Sequence, residues 1–394
     1  MIDVSRVRAD TPGCREVAHF NNAGAALPTR EVLDTVIEHL ELEARVGGYM
    51  AADLVAERAS AVYASVATLV GASPHEIALV ENATRAWDMV AYSLGASFGP
   101  GDRMLTSQAE YASNVIGLLQ LAARTGASVE VVPDDESGQL DVEALAAMLD
   151  DRVRLVAMSW IPTQGGLVNP AAAVGALTRA AGVPYLLDAC QAVGQLPIDV
   201  EVLGCDFLSA TGRKYLRAPR GTGLLYVRRD WIQRLDPPFL DVHAAQWEPG
   251  DRVAARADAR RFESWERSVA NQLGLGAAAD YALALGVDDI RTRVVGLAAS
   301  LREQLASIPG LALHDRGVER CGIVTFTVDA VDAYELVASL RAQHINISVS
   351  TIDFARYDFE ARGLSAVNRA SVHYFNTDEE LARLVDAVAT APGV

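Results

Sequence analysis

Cysteine is scarce in this chain, with four in 394 residues. Cys14, Cys190, Cys205 and Cys321 lie far apart, form no CxxC pair and show no His/Cys metal spacing. A disulfide framework and a zinc site are therefore disfavoured, no metal is expected, and the four read as buried reduced thiols. Long apolar runs are missing too: none approaches the ~20 residues of a membrane-crossing helix. The N-terminal MIDVSRVRADTPGCREV is mixed and polar, without the apolar centre of a signal peptide. The expectation is a soluble cytoplasmic protein with no membrane partner. Basic residues are outnumbered, Lys+Arg 34 against Asp+Glu 51, for a net charge of −17. Such a surface repels nucleic acid and anionic lipid, so neither is an expected partner.

The composition is otherwise that of a folded enzyme-sized chain. Hydrophobic residues are 51% and charged residues 22%, enough to bury a core and too apolar for disorder. The length exceeds one compact core and predicts two lobes. Apolar residues recur at helical spacing from Leu27 to Val70, predicting two helices split at Val46 to Tyr49. Seven short apolar runs follow: IALVE (77–81), RMLTS (103–107), SVEVV (128–132), VRLVAMSW (153–160), PYLLDA (184–189), DFLSA (206–210) and GLLYVRR (223–229). The first six alternate with helical stretches or turns, which predicts an α/β fold with a mostly parallel sheet covered on both faces. The segment 235–261, rich in Pro, Asp and Arg, reads as irregular. A helix is expected from Ser268, then strands CGIVTFTV (321–328), INISVS (345–350) and ASVHYF (370–375), and a closing helix from Thr377. These make a smaller α+β lobe. The large domain is placed at 15–258, and the small one at 1–14 and 259–394.

Ligands of such sheets lie beyond the carboxyl ends of the strands. That rule gathers Asn82, Ala83 and Thr84, Glu110 and Tyr111, Thr163 and Gln164, Asp188 and Gln191, and Ser209 to Lys214 around one crevice. Asp188 ends the run PYLL, where a bare carboxylate is costly; it either caps the next helix or faces a cation such as a protonated heterocyclic nitrogen. Thr84 either caps its helix or meets a phosphate at the helix N-terminus, and Ser209, Thr211 and Arg213 have the same double meaning. Lys214 follows a strand, among small residues and beside Arg213. Burial and a neighbouring cation both favour the neutral amine that forms a Schiff base. A phosphate site, an acid for a pyridinium and a Schiff-base lysine together describe a site for pyridoxal 5'-phosphate (PLP). Arg217 and Arg220, in the same SATGRKYLRAPRGTG stretch, are left without a role.

From HFNNAGAALPT to NRASVHYFNTDEELARL, the chain resembles the class V aminotransferases, fold-type I PLP enzymes that include cysteine desulfurases. The resemblance implies a large domain built on the seven-stranded sheet plus a small domain. It implies that Lys214 is the Schiff-base lysine, that Asp188 holds the ring nitrogen protonated and that Gln191 meets the phenolic oxygen, with Thr163 nearby. It implies that Tyr111 stacks on the ring, and that Asn82, Ala83, Thr84, Ser209, Thr211 and Arg213 surround the phosphate. Arg369, in NRAS, would grip the substrate's α-carboxylate bidentately, with Asn22 and Tyr49 also on the substrate. A homodimer with shared sites is implied, RFESWERS lying where the partner approaches.

In one respect the chain departs from the desulfurases of that family: the segment TIDFARYDFEARGLS carries no cysteine for the sulfur to pass to. Desulfuration is on that ground disfavoured. VGGYMAAD, EY and APRG are similar to the C–S lyases that act on the sulfoxide conjugate in ergothioneine synthesis. The resulting expectation is a carbon–sulfur lyase that eliminates at the β-carbon of a cysteine S-conjugate or its sulfoxide, giving a thiol or sulfenate, pyruvate and ammonia. The alternatives are a transaminase, an epimerase or a decarboxylating oxidative deaminase of an S-conjugated amino acid.

Overall fold

The computed structural model describes residues 1–391. Its centre is a seven-stranded sheet whose strands run, edge to edge, Ile77–Val80, Gly223–Val227, Phe207–Thr211, Tyr185–Asp188, Val153–Ser159, Arg103–Ser107 and Ser128–Val132. Gly223–Val227 is antiparallel to both neighbours, and the remaining pairings are parallel. The fold is thus α/β with a mostly parallel sheet, as the alternation of apolar runs predicts. Every residue of Tyr185–Asp188 and of Phe207–Thr211 is buried, the signature of a sheet covered on both faces.

Chain order reverses across the sheet between Arg103–Ser107 and Val153–Ser159, which opens a crevice at their carboxyl ends. The helices that flank it begin where short polar side chains cap them. Asn82 accepts from the Arg85 N–H at 2.9 Å to start Ala83–Gly95, and Ser268 caps Val269–Leu285.

A second, antiparallel sheet orders Leu311–Leu313, Ile323–Val328, Ala366–Ser371 and Ser348–Thr351. Asp315 ties the two sheets together: its buried carboxylate accepts from the Gly166 and Thr325 N–H groups and pairs with Arg302 Nε at 2.6 Å. Residues Ala18–His19 pair in parallel with Ile345–Asn346, so the N-terminal segment also joins this side.

The structure differs from the sequence reading in several elements. Residues 30–70 form three helices, Arg30–Val46, Gly48–Leu54 and Ala56–Val70. The segment read as irregular contains a hairpin, Ala245–Glu248 with Arg252–Ala255. The last strand is Ala366–Ser371 and ends before most of the run 370–375. There His373, Tyr374 and Phe375 are buried against one another, so their apolar signal comes from packing outside a ladder. Among the described residues no helix is long and apolar enough to cross a membrane.

Candidate active site

Beyond the carboxyl ends of the parallel strands lies a cavity of about 560 Å³. Asn82, Ala83 and Thr84 border it at the start of helix Ala83–Gly95, whose first N–H groups have no intrahelical acceptor. Gly223 permits this: a Cβ there would stand 2.8 Å from Ala210 O and 2.9 Å from Asn82 C, so a side chain would push the helix start off the sheet.

Asp188 lies across the cavity, buried. One carboxylate oxygen accepts from Asn114 Nδ2 at 2.9 Å and the other from the Cys190 N–H at 2.8 Å. Both partners are neutral, so its charge is left uncompensated by an ion pair.

Lys214 and Arg213 reach the same cavity from the turn after Phe207–Thr211, whose Thr211 also lines it. Burial, the largest influence, lowers the Lys214 amine below the ordinary lysine value of 10.5, with Arg213 and Arg369 adding to the effect and Cys190 and Asp188 opposing it. Gly194, at φ +90°, holds the neighbouring turn close, since a Cβ there would lie 2.4 Å from Leu216 N. The backbone carrying Asp188 and Gln191 thereby packs directly on the backbone that carries Lys214.

Tyr111, Thr163 and Gln191 complete the wall. Gln191 donates from Nε2 to Ala23 O at 3.1 Å, and its buried Oε1 has no partner. Thr163 bridges to Arg369, whose Nη1 donates to Thr163 O and Oγ1, both at 2.8 Å. Arg369 is buried on strand Ala366–Ser371 with no carboxylate among its partners, and burial brings it down to about 10. A buried guanidinium bonded only to neutral oxygens is a receptor for an anion.

Three residues singled out from the sequence fall elsewhere. Ser209 is sealed inside its strand and does not border the cavity. Asn22 is buried, donating to Ser371 O at 2.7 Å, and pins the N-terminal segment to the second sheet; Asn21, beside it, comes within 3.4 Å of Arg369. Tyr49 is 80% exposed, in a separate surface cavity with His243 and Trp265. It projects to solvent from helix Gly48–Leu54.

The two unassigned arginines separate. Arg220 is exposed at the cavity rim. Arg217 is buried, donating to Leu27 O, Tyr374 Oη and Thr11 Oγ1 at 2.6 to 2.7 Å, with its guanidinium 4.9 Å from the Phe375 ring. It is a structural clamp. Asn114, which the sequence did not single out, lines the cavity and bonds both Asp188 and Glu110, the latter lying just before helix Ala112–Thr125.

The site accommodates PLP in its chemistry: free N–H groups at a helix start and Arg213 for a phosphate, an uncompensated carboxylate for a ring cation, an unpartnered amide oxygen and a depressed lysine. A family model for aminotransferase class-V matches residues 18–384. A cysteine desulfurase of Pectobacterium atrosepticum is 32% identical over 97% of this chain and 96% of its own. The apo cysteine desulfurase of Thermococcus onnurineus NA1 superposes with a TM-score of 0.93 at 24% identity, covering 100% of this chain and 99% of that one. A mutant of C-DES with glycine covalently linked to the PLP cofactor superposes at 0.87 with 22% identity over 98% of this chain and 99% of that one.

These similarities correct the expected activity. Elimination from a cysteine S-conjugate, with desulfuration disfavoured, is overturned by a desulfurase relative that matches nearly end to end. The absent loop cysteine bears on which thiol receives the sulfur as the C–S bond breaks, and does not by itself exclude desulfuration. The chain belongs to the aminotransferase class-V family, an α/β enzyme family whose cofactor here is pyridoxal 5'-phosphate.

Proposed function

We propose that the protein is a carbon–sulfur bond-cleaving enzyme that removes sulfur from cysteine. The observation that carries this reading is the end-to-end relationship to a cysteine desulfurase together with Lys214 and Asp188 on one cavity and Arg369 bonded to Thr163 in its wall. When bound, PLP supplies an electron sink for charge that develops on the substrate. Lys214 would hold the cofactor and move the proton at the substrate's α-carbon; its lowered basicity keeps the amine free to do so. Asp188 would hold the ring nitrogen's proton and Gln191 would meet the phenolic oxygen. Tyr111 would cover the ring, while Asn82, Ala83, Thr84, Thr211 and Arg213 would hold the phosphate. Arg369, oriented by Thr163, grips the substrate carboxylate.

The chain acts as a homodimer in this reading, with the exposed Tyr49 and Trp265, which border one surface cavity, as candidates for the contact. Sulfur leaves to an added thiol. Among the described residues Cys190 is the cysteine that lines the cavity, and burial raises its thiol, keeping it protonated and poorly nucleophilic. The test is sulfide release from L-cysteine by PLP-loaded protein in the presence of a reducing thiol. Release that disappears in Lys214→Ala supports the reading; no release by the wild-type protein overturns it.

A further inference from the structure

Glu110 is buried, yet it lies outside the set assigned to the cofactor or the substrate. Its carboxylate collects an unusual number of donors: the Tyr111 and Ser159 N–H groups at 2.8 Å, Asn114 Nδ2 at 2.9 Å, Ser159 Oγ at 2.5 Å, and Thr106 and Ser107 hydroxyls at 3.3 and 3.4 Å. It is therefore anchored to two strand ends and a helix start at once. The same Asn114 Nδ2 that reaches Glu110 also reaches Asp188, at 2.9 Å to each.

One amide nitrogen with two hydrogens thus spans two buried carboxylates. This arrangement fixes the amide's orientation. A flip about the Asn114 side chain would present its oxygen to both acids, a repulsion at each end. With Glu110 neutralised, only one end resists the flip, and Asp188 loses part of its anchoring.

We propose that Glu110 is a positioning residue for the cofactor. Through Asn114 it fixes the Asp188 carboxylate and so secures the proton on the ring nitrogen. The inference rests on the assignment of Asp188 to that nitrogen. Burial, with Asp188 adding to it, raises the Glu110 carboxyl, while the Ser159, Asn114 and Tyr111 donors oppose the rise.

The experiment titrates apo-protein with PLP and follows the visible band of the loaded protein against pH, for wild type, Asp188→Asn, Glu110→Gln and Asn114→Ala. A ring nitrogen that loses its proton removes a positive charge close to the Lys214-linked nitrogen. That nitrogen then keeps its own proton to higher pH.

The expected result is that Glu110→Gln, Asn114→Ala and Asp188→Asn each weaken PLP binding about tenfold or more and move the band's titration upward. The double variant should be no worse than Asn114→Ala alone, since both act along one path. A purely structural Glu110 would lower the unfolding temperature without moving the titration. If Glu110→Gln does not fold, Asn114→Ala in the first helical turn carries the test. Wild-type binding and titration in the folded variants, with a shift in Asp188→Asn, overturns the inference alone. No shift in Asp188→Asn overturns the Asp188 assignment and the inference with it.

Discussion

The two sheets hold their functional cations in opposite ways. On the seven-stranded sheet Lys214 shares with the Asp188 carboxylate and Cys190 a cavity open enough to admit a ligand, without an ion pair to either. On the antiparallel sheet Arg369 is buried, bonded to Thr163, Ser348 and Asn21, with no acid among its partners. The difference teaches a division of labour. The parallel sheet assembles a cofactor site from loops at its carboxyl edge, whereas the antiparallel sheet contributes one preset anion receptor. Their relative placement is enforced at the seam by Asp315 and by the Arg369 to Thr163 bonds.

Substitutions on either side should therefore separate cofactor effects from substrate effects. The largest effect is expected for Lys214→Ala: loss of the visible cofactor band and of activity by roughly 10³-fold or more, read by absorbance and turnover. Arg369→Ala should leave that band in place and lower kcat/KM for L-cysteine by roughly 10²-fold, the cost of leaving a carboxylate without its bidentate partner. If Arg369→Ala abolishes cofactor binding as well, the division between the sheets fails.

Arg217→Ala should leave the chemistry of bound substrate intact. It removes three hydrogen bonds from a buried cation's neighbours, so unfolding stability should fall by about 3 kcal/mol in a denaturant titration. An activity loss without a stability loss would return this arginine to the site.

Two pH effects are smaller. Because burial lowers Lys214, PLP capture by apo-protein should rise with pH through a midpoint below 10.5, as followed by stopped-flow absorbance. Asp134, near Arg316 on the second lobe, is raised by burial to about 6 from an ordinary 3.8. Between those values the folded state binds the extra proton, so stability should decrease as pH rises through that window. Asp134→Asn should flatten this slope.

Much of this division is visible in the sequence. Tyr185–Asp188 and Gly223–Val227 lie within the apolar runs that announce them, because a strand buried on both faces is apolar along most of its length. Asp188 and Lys214 are readable as site residues because polar side chains at the ends of such runs need a reason to be there. Arg369 was reachable only by resemblance, since nothing local marks an arginine that acts across a seam.

Other features depend on tertiary contacts with no local signature. The aromatic run after Ser371 imitates a strand because it packs around Arg217. Tyr49 has the composition of a binding residue but projects from a surface helix, and Ser209 faces the interior of its strand. The Asn114 bridge needs Glu110 and Asp188, 78 residues apart, to be brought to one amide. Only the crossing of the sheet does that.

The most direct test of the central claim is product analysis after a single turnover of L-cysteine by PLP-loaded protein with a reducing thiol. Removing sulfur from cysteine leaves the carbon skeleton of alanine. The account predicts alanine and sulfide, or a persulfide of the added thiol, in equal amounts, and neither from Lys214→Ala. Pyruvate and ammonia in place of alanine would contradict it.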